Sequence, residues 1–128
     1  MARRSLRLVR VPDNEGRRDA IPTSLAGSCC GVVALDEQGR VVGMGRVVDD
    51  GAFFFYLQDI AVDPAHRGMG IGRAITGRLI DQVQGIAGGD AFIGLFATDE
   101  AVSLYRGAGF DDTSLHGMWQ VVRPGPGR

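Results

Sequence analysis

Gln58-Asp59-Ile60-Ala61-Val62-Asp63-Pro64-Ala65-His66-Arg67-Gly68-Met69-Gly70-Ile71-Gly72-Arg73 joins two segments of different periodicity through a turn with three alternating glycines. Upstream, Phe53 to Val62 is aromatic and β-branched, which predicts a central strand. Asp63-Pro64 ends it, because proline has no N–H to give to a sheet. Downstream, Ile71, Ile75, Leu79, Val83 and Ile86 recur at steps of four, four, four and three, so residues 69–87 are predicted as a helix with one apolar face that Gly88-Gly89 stops. The first amides of a helix have no intrahelical acceptor and carry the positive end of its dipole. Glycines just before such a start let an anion approach the backbone, and Arg67 and Arg73 add positive charge on either side, so the turn reads as a phosphate cradle.

Other phosphate motifs fail on the same letters. A dinucleotide G-x-G-x-x-G would need glycine where Arg73 or Ile75 stands. Gly72 and Gly77 have the Walker spacing, but Arg78-Leu79 follow where Lys-Ser or Lys-Thr is required. What remains is Arg-x-x-Gly-x-Gly, Arg67 to Gly72, between a strand and a helix.

With that arrangement the chain resembles the GCN5-related N-acetyltransferase family, whose signature is (Gln/Arg)-x-x-Gly-x-(Gly/Ala). A second stretch resembles it too: Ala101-Val102-Ser103-Leu104-Tyr105-Arg106-Gly107-Ala108-Gly109-Phe110 looks like that family's Ala-x-x-Leu-Tyr-x-x-x-Gly-Phe helix and strand start. The resemblance covers about residues 30–122. It implies an α/β (α+β) acyl-CoA N-acyltransferase-like fold, a mixed twisted sheet whose central strands splay apart, flanked by helices. It also implies an N-acetyltransferase that moves acetyl from acetyl-CoA to a primary amine of a small molecule or a protein. Main-chain groups of Ile60, Ala61 and Val62 would then meet the pantetheine arm and the thioester carbonyl. The amides of Arg67, Gly68, Met69, Gly70, Ile71, Gly72 and Arg73 would hold the pyrophosphate. Tyr105 would be the acid that protonates the departing thiolate, and Asp59 would be a candidate base. Thr98 stands where the family often has an asparagine, and is carried over as a cofactor contact. A homodimer is an expectation by analogy.

Each of these residues also has a plainer reading. Tyr105 fits a helix tyrosine packed on a core. In a regular strand Asp59 alternates with Gln58 and Ile60, which predicts that only one of Gln58 and Asp59 faces the cleft. His66 reads as an exposed loop histidine. Gly27-Ser28-Cys29-Cys30-Gly31 matches G-x-C-x-G, but it precedes a strand instead of joining a strand to a helix, which argues against a nucleophile elbow at Cys29. A thiol hydrolase using Cys29 and a non-catalytic acyl-CoA-binding module are the alternatives to an acetyltransferase.

Composition sets the outer bounds. The 128 residues suit one domain spanning 1–128, with 45% hydrophobic and 23% charged residues, a globular balance. All 14 basic residues are arginine, which excludes lysine Schiff bases and lysine-dependent P-loops and suggests a GC-rich bacterial genome. A formal net charge of −1 gives no electrostatic case for nucleic acid or an anionic membrane, so the expected partners are acetyl-CoA and an amine acceptor. The strongest apolar run, Ala52 to Leu57, is far shorter than the roughly 20 residues of a membrane span. Two histidines and two adjacent cysteines do not suggest a zinc site. The cysteines cannot bridge with ordinary geometry, and Arg7 and Arg10 interrupt any signal-peptide core, so a reducing, cytoplasmic setting is expected.

The remaining elements follow from local pattern. Leu6, Leu8, Val9 and Val11 predict a first strand, and residues 13–28 predict at most one or two short helices. Gly31 to Leu35 and Val41 to Val48 predict a hairpin around Asp36 to Arg40. Ala91 to Phe96 predicts a buried strand, Ala101 to Ala108 a second helix, and Met118 to Val122 a last strand.

Overall fold

A computed structural model describes residues 18–125. The predicted strand at Leu6 to Val11 lies outside the described residues. A 3-10 turn at Arg18–Ala20 leads into α1, Ile21–Ala26. Strands β1 (Cys30–Leu35), β2 (Val41–Asp49), β3 (Phe54–Val62) and β4 (Phe92–Gly94) form one sheet in sequence order, with helices α2 (Ile71–Ala87) and α3 (Val102–Gly107) before and after β4. The first two pairings are antiparallel and β3 with β4 is parallel, so the sheet is mixed. No helix among the described residues is long and apolar enough to cross a membrane.

The β1–β2 hairpin closes as its polar turn predicts: the Asp36 carboxylate accepts the amides of Gln38 and Arg40 at 2.8 and 2.9 Å. The periodic face of α2 packs against the sheet except at its last position, where Ile86 is exposed and Ala87 packs instead. Ile75, Leu79 and Val83 join Val47, Phe55 and Leu57 in the core. Two glycines of β2 make this approach fit, since a Cβ at Gly43 would stand 2.9 Å from Ile75 Cδ1 and one at Gly45 2.9 Å from Leu79 Cδ1. Gly88 in the left-handed region ends α2, as the double glycine predicts.

Two strand expectations are corrected. The buried strand expected over Ala91 to Phe96 is only Phe92–Gly94, because β4 leaves β3 after the Tyr56–Gly94 pair, and it is not buried: Phe92 is exposed and Ile93 and Gly94 are half-buried. Met118 to Val122 is not a strand: it has extended, apolar letters but no ladder partner among the described residues. Met118 and Trp119 are 87% and 71% exposed. Strand propensity alone does not make a strand: β1 and β4 are the edges of the sheet, and residues 118–122 form no ladder with either.

Candidate acyl-CoA site

The site begins where β3 changes its phase. Before residue 58 the side chains of Phe55 and Leu57 enter the core under α2; beyond it Ile60 and Val62 do so. The switch is a β-bulge. Arg46 pairs with Gln58 and Met44 with Ala61, so Asp59 and Ile60 together oppose Gly45. Asp59 takes φ of +56°, the only described non-glycine residue in the left-handed region, and aspartate is among the few side chains that tolerate it.

The bulge also turns the backbone. The Asp63 amide donates to the Val42 carbonyl at 2.7 Å, and Ala61 pairs with Met44, so in an antiparallel ladder the polar groups of Ile60 and Val62 point away from β2. On that side β4 has already departed, since pairing with β3 ends at Tyr56. The main chain of Ile60 and Val62 therefore lines a gap between parted strands.

The gap leads to the glycine turn. Asp63 is buried; its carboxylate accepts the Ala65 amide at 3.2 Å and starts a short 3-10 turn, Pro64–His66. Gly68 and Gly70 follow with φ of +78° and +82°, where a side chain would strain the backbone, and open space lies around each. Gly72 has a different reason: a Cβ there would meet Leu104 Cδ1 of α3 at 3.2 Å. The start of α2 has no side-chain cap, and its amides at Ile71, Gly72 and Arg73 are directed toward the turn without intrahelical acceptors. Arg67, Met69 and Arg73 are exposed around it. This donor set fits the pyrophosphate of an acyl-CoA.

Tyr105 lies in α3, half-buried, with its ring edge-on to Phe110 at a centroid distance of 6.0 Å. Burial pushes its phenol above the ordinary tyrosine value. It therefore carries its proton at neutral pH, as an acid must. Leu104 of the same helix packs over Gly72, so α3 is docked on the first turn of α2. Thr98 is exposed in the loop from β4 to α3, and its hydroxyl caps nothing in the short turn it opens.

The alternation expected of Gln58 and Asp59 does not hold, because the bulge inserts a residue. Both face away from α2. Gln58 lies beside the Tyr56 phenol, whose pKa burial pushes up. The Asp59 carboxylate meets Arg46 Nε at 2.7 Å, and both side chains are mostly buried. Arg46 also donates to the Ser24 carbonyl and hydroxyl, each at 3.1 Å, and to the Ser28 hydroxyl at 2.9 Å. Sequence reading passed over Arg46; its signal is a lone charge inside the otherwise apolar run Val41 to Val48.

The other candidates are less well placed. The Cys29 and Cys30 sulfurs are 3.7 Å apart. Partial desolvation first, then Cys30 and Asp49, push the Cys29 thiol up to about 12, whereas a nucleophilic cysteine needs a lowered value. His66 Nδ1 sits 3.5 Å from the Asp63 carboxylate, turned back onto its own loop. No cluster of three or more metal-ligating side chains occurs among the described residues.

A mixed sheet with a bulged central strand, a departing neighbour and an uncapped glycine turn is the arrangement that the resemblance to N-acetyltransferases implies. A family model described as "Acetyltransferase (GNAT) family" matches residues 5–110, and the chain belongs to that family. It is similar to the soybean (Glycine max) histone acetyltransferase TAP1, 37% identical over 86 residues, which are 66% of this chain and 36% of that protein. It is also similar to the rice (Oryza sativa subsp. japonica) chloroplastic serotonin N-acetyltransferase 2, 36% identical over 66% of this chain and 42% of that protein. The chain thus spans less than half the length of these curated relatives. Among solved structures, a probable acetyltransferase of Staphylococcus aureus superposes with a TM-score of 0.74 at 29% identity, covering 82% of this chain and 80% of that one.

Proposed function

We propose that the chain transfers an acetyl group from acetyl-CoA to a primary amine. The observation that carries this reading is the gap beyond the Tyr56–Gly94 pair, lined by the outward main chain of Ile60 and Val62 and ending at the uncapped start of α2. Amides of Gly68 to Arg73 would hold the pyrophosphate. Thr98 is retained as a cofactor contact of the β4–α3 loop. Outward amides of the bulged strand would donate to the thioester carbonyl and stabilise the negative charge that grows on its oxygen, with no rearrangement needed at that moment.

The neutral amine attacks the carbonyl carbon. A C–N bond forms and the C–S bond breaks; Tyr105 gives its proton to the sulfur, while the proton released by the nitrogen goes to solvent and Tyr105 is reprotonated from there. Asp59, considered as the base, has its carboxylate engaged by Arg46, so this reading assigns proton removal from the amine to water. A primary amine as acceptor is consistent with relatives named for histone and for serotonin.

The test combines an amine panel with acetyl-CoA and follows free thiol. Amine-dependent thiol release supports the transferase. Tight acetyl-CoA binding with no release for any amine would instead favour a binding module, and release abolished by cysteine alkylation would favour Cys29 chemistry.

A further inference from the structure

We infer that Arg46 is a positioning residue that holds the bulge of β3 in its outward register and ties α1 to it; the inference rests on the acyl-CoA reading of the gap. Arg46 occupies the last ladder pair before the bulge, opposite Gln58, and its side chain reaches one residue further to Asp59. It leaves the sheet on the face away from α2, since its neighbours Gly45 and Val47 face the helix. All three guanidinium nitrogens are used: Nε on the Asp59 carboxylate, Nη1 on the Ser24 carbonyl and Ser28 hydroxyl, and Nη2 on the Ser24 hydroxyl. Lysine could not make this fork.

The bulge is the point at which a hold is needed. Asp59 sits at φ of +56°, a conformation that costs an L-residue energy, and the bulge it forms with Ile60 moves the amides of Ile60 and Val62 from the β2 side to the gap. Without the guanidinium the Asp59 carboxylate would be left mostly buried and unpaired beside the sheet. Relaxing the bulge would relieve that charge and would also withdraw the thioester donors. Arg46 thus acts on the reaction through Asp59, without touching the substrate.

The experiment compares the parent with Arg46→Met, Arg46→Lys, Asp59→Gly and the double variant Arg46→Met/Asp59→Gly. It reads amide resonances of Ile60 and Val62, melting temperature, and kcat and KM for acetyl-CoA. Glycine adopts the left-handed conformation freely and carries no carboxylate, so it removes both reasons for the hold. Arg46→Met is expected to shift or broaden the Ile60 and Val62 resonances and to lower kcat/KM at least tenfold. Arg46→Lys should recover part of this. The double variant should stay within threefold of Asp59→Gly, with the Ile60 and Val62 resonances restored.

The inference is overturned if Arg46→Met leaves those resonances unchanged with kcat/KM within twofold of the parent. It is also overturned if the double variant loses as much relative to Asp59→Gly as Arg46→Met loses relative to the parent. Should Arg46→Met fail to fold, Arg46→Lys and the double variant decide by the same readings. The resonances report the bulge even if no amine is ever acetylated, so a failed transferase reading and a failed role for Arg46 give different results.

Discussion

The two halves of β3 are one strand with two fates. From Phe54 to Tyr56 it is paired on both sides, with β2 and β4, and Phe55 is buried beneath α2. From Asp59 to Val62 it keeps β2 but has lost β4, and a single inserted residue has turned its free backbone groups outward. The closed half is satisfied by the protein itself. The open half has no ladder partner on its outer side among the described residues, and the proposed acyl-CoA would take that place.

Breaking the closed half should cost stability first. Phe55→Ala removes a ring that is 2% exposed, and a loss of about 3–5 kcal/mol in urea unfolding is expected. An unchanged midpoint would mean that the closed half is not the anchor of the core.

At the open end the balance reverses. Gly70→Asp places a carboxylate at the turn, in a left-handed conformation that costs a side chain roughly 1–2 kcal/mol. Open space around the position keeps the fold. Acetyl-CoA affinity measured by calorimetry should fall about a hundredfold, equivalent to about 2.7 kcal/mol, because the new charge faces the pyrophosphate. Unchanged affinity in a folded variant would move the cradle elsewhere.

Tyr105→Phe should leave both stability and acetyl-CoA affinity near those of the parent and lower kcat by about 10², the lower end for general acid catalysis. The pH profile sharpens this. Burial raises the Tyr105 phenol above 10, so the proton is present through neutral pH and is lost only above the ordinary tyrosine range. The parent's kcat should therefore fall in that alkaline region, and Tyr105→Phe should lack the same limb. A variant within about threefold of the parent would make Tyr105 a packing residue.

The smallest effect belongs to the cysteines. Cys29→Ala/Cys30→Ala should change kcat by less than about twofold, since the raised Cys29 thiol is a poor nucleophile at neutral pH. A loss beyond tenfold without unfolding would reopen thiol chemistry.

Much of this could be read from residue order. The step-of-four apolar positions of α2, the glycines before it, the Asp36 turn and the Ala101 to Phe110 stretch are local patterns, and local patterns survive in a sequence. The bulge was written there too, as a slip of phase: Phe55 and Leu57 alternate in one register, Ile60 and Val62 in another. An expectation of strict alternation overrode that signal at Gln58 and Asp59.

The sequence by itself determined that a strand ends in an uncapped helix start suited to an anion, because that arrangement depends on neighbours a few positions apart. Tertiary structure decided what each piece does there. Gly72 serves the packing of Leu104, Asp59 is held by a guanidinium from another strand, and Met118 to Val122 joins no ladder among the described residues. These outcomes depend on contacts between distant residues, which spacing along one chain does not encode.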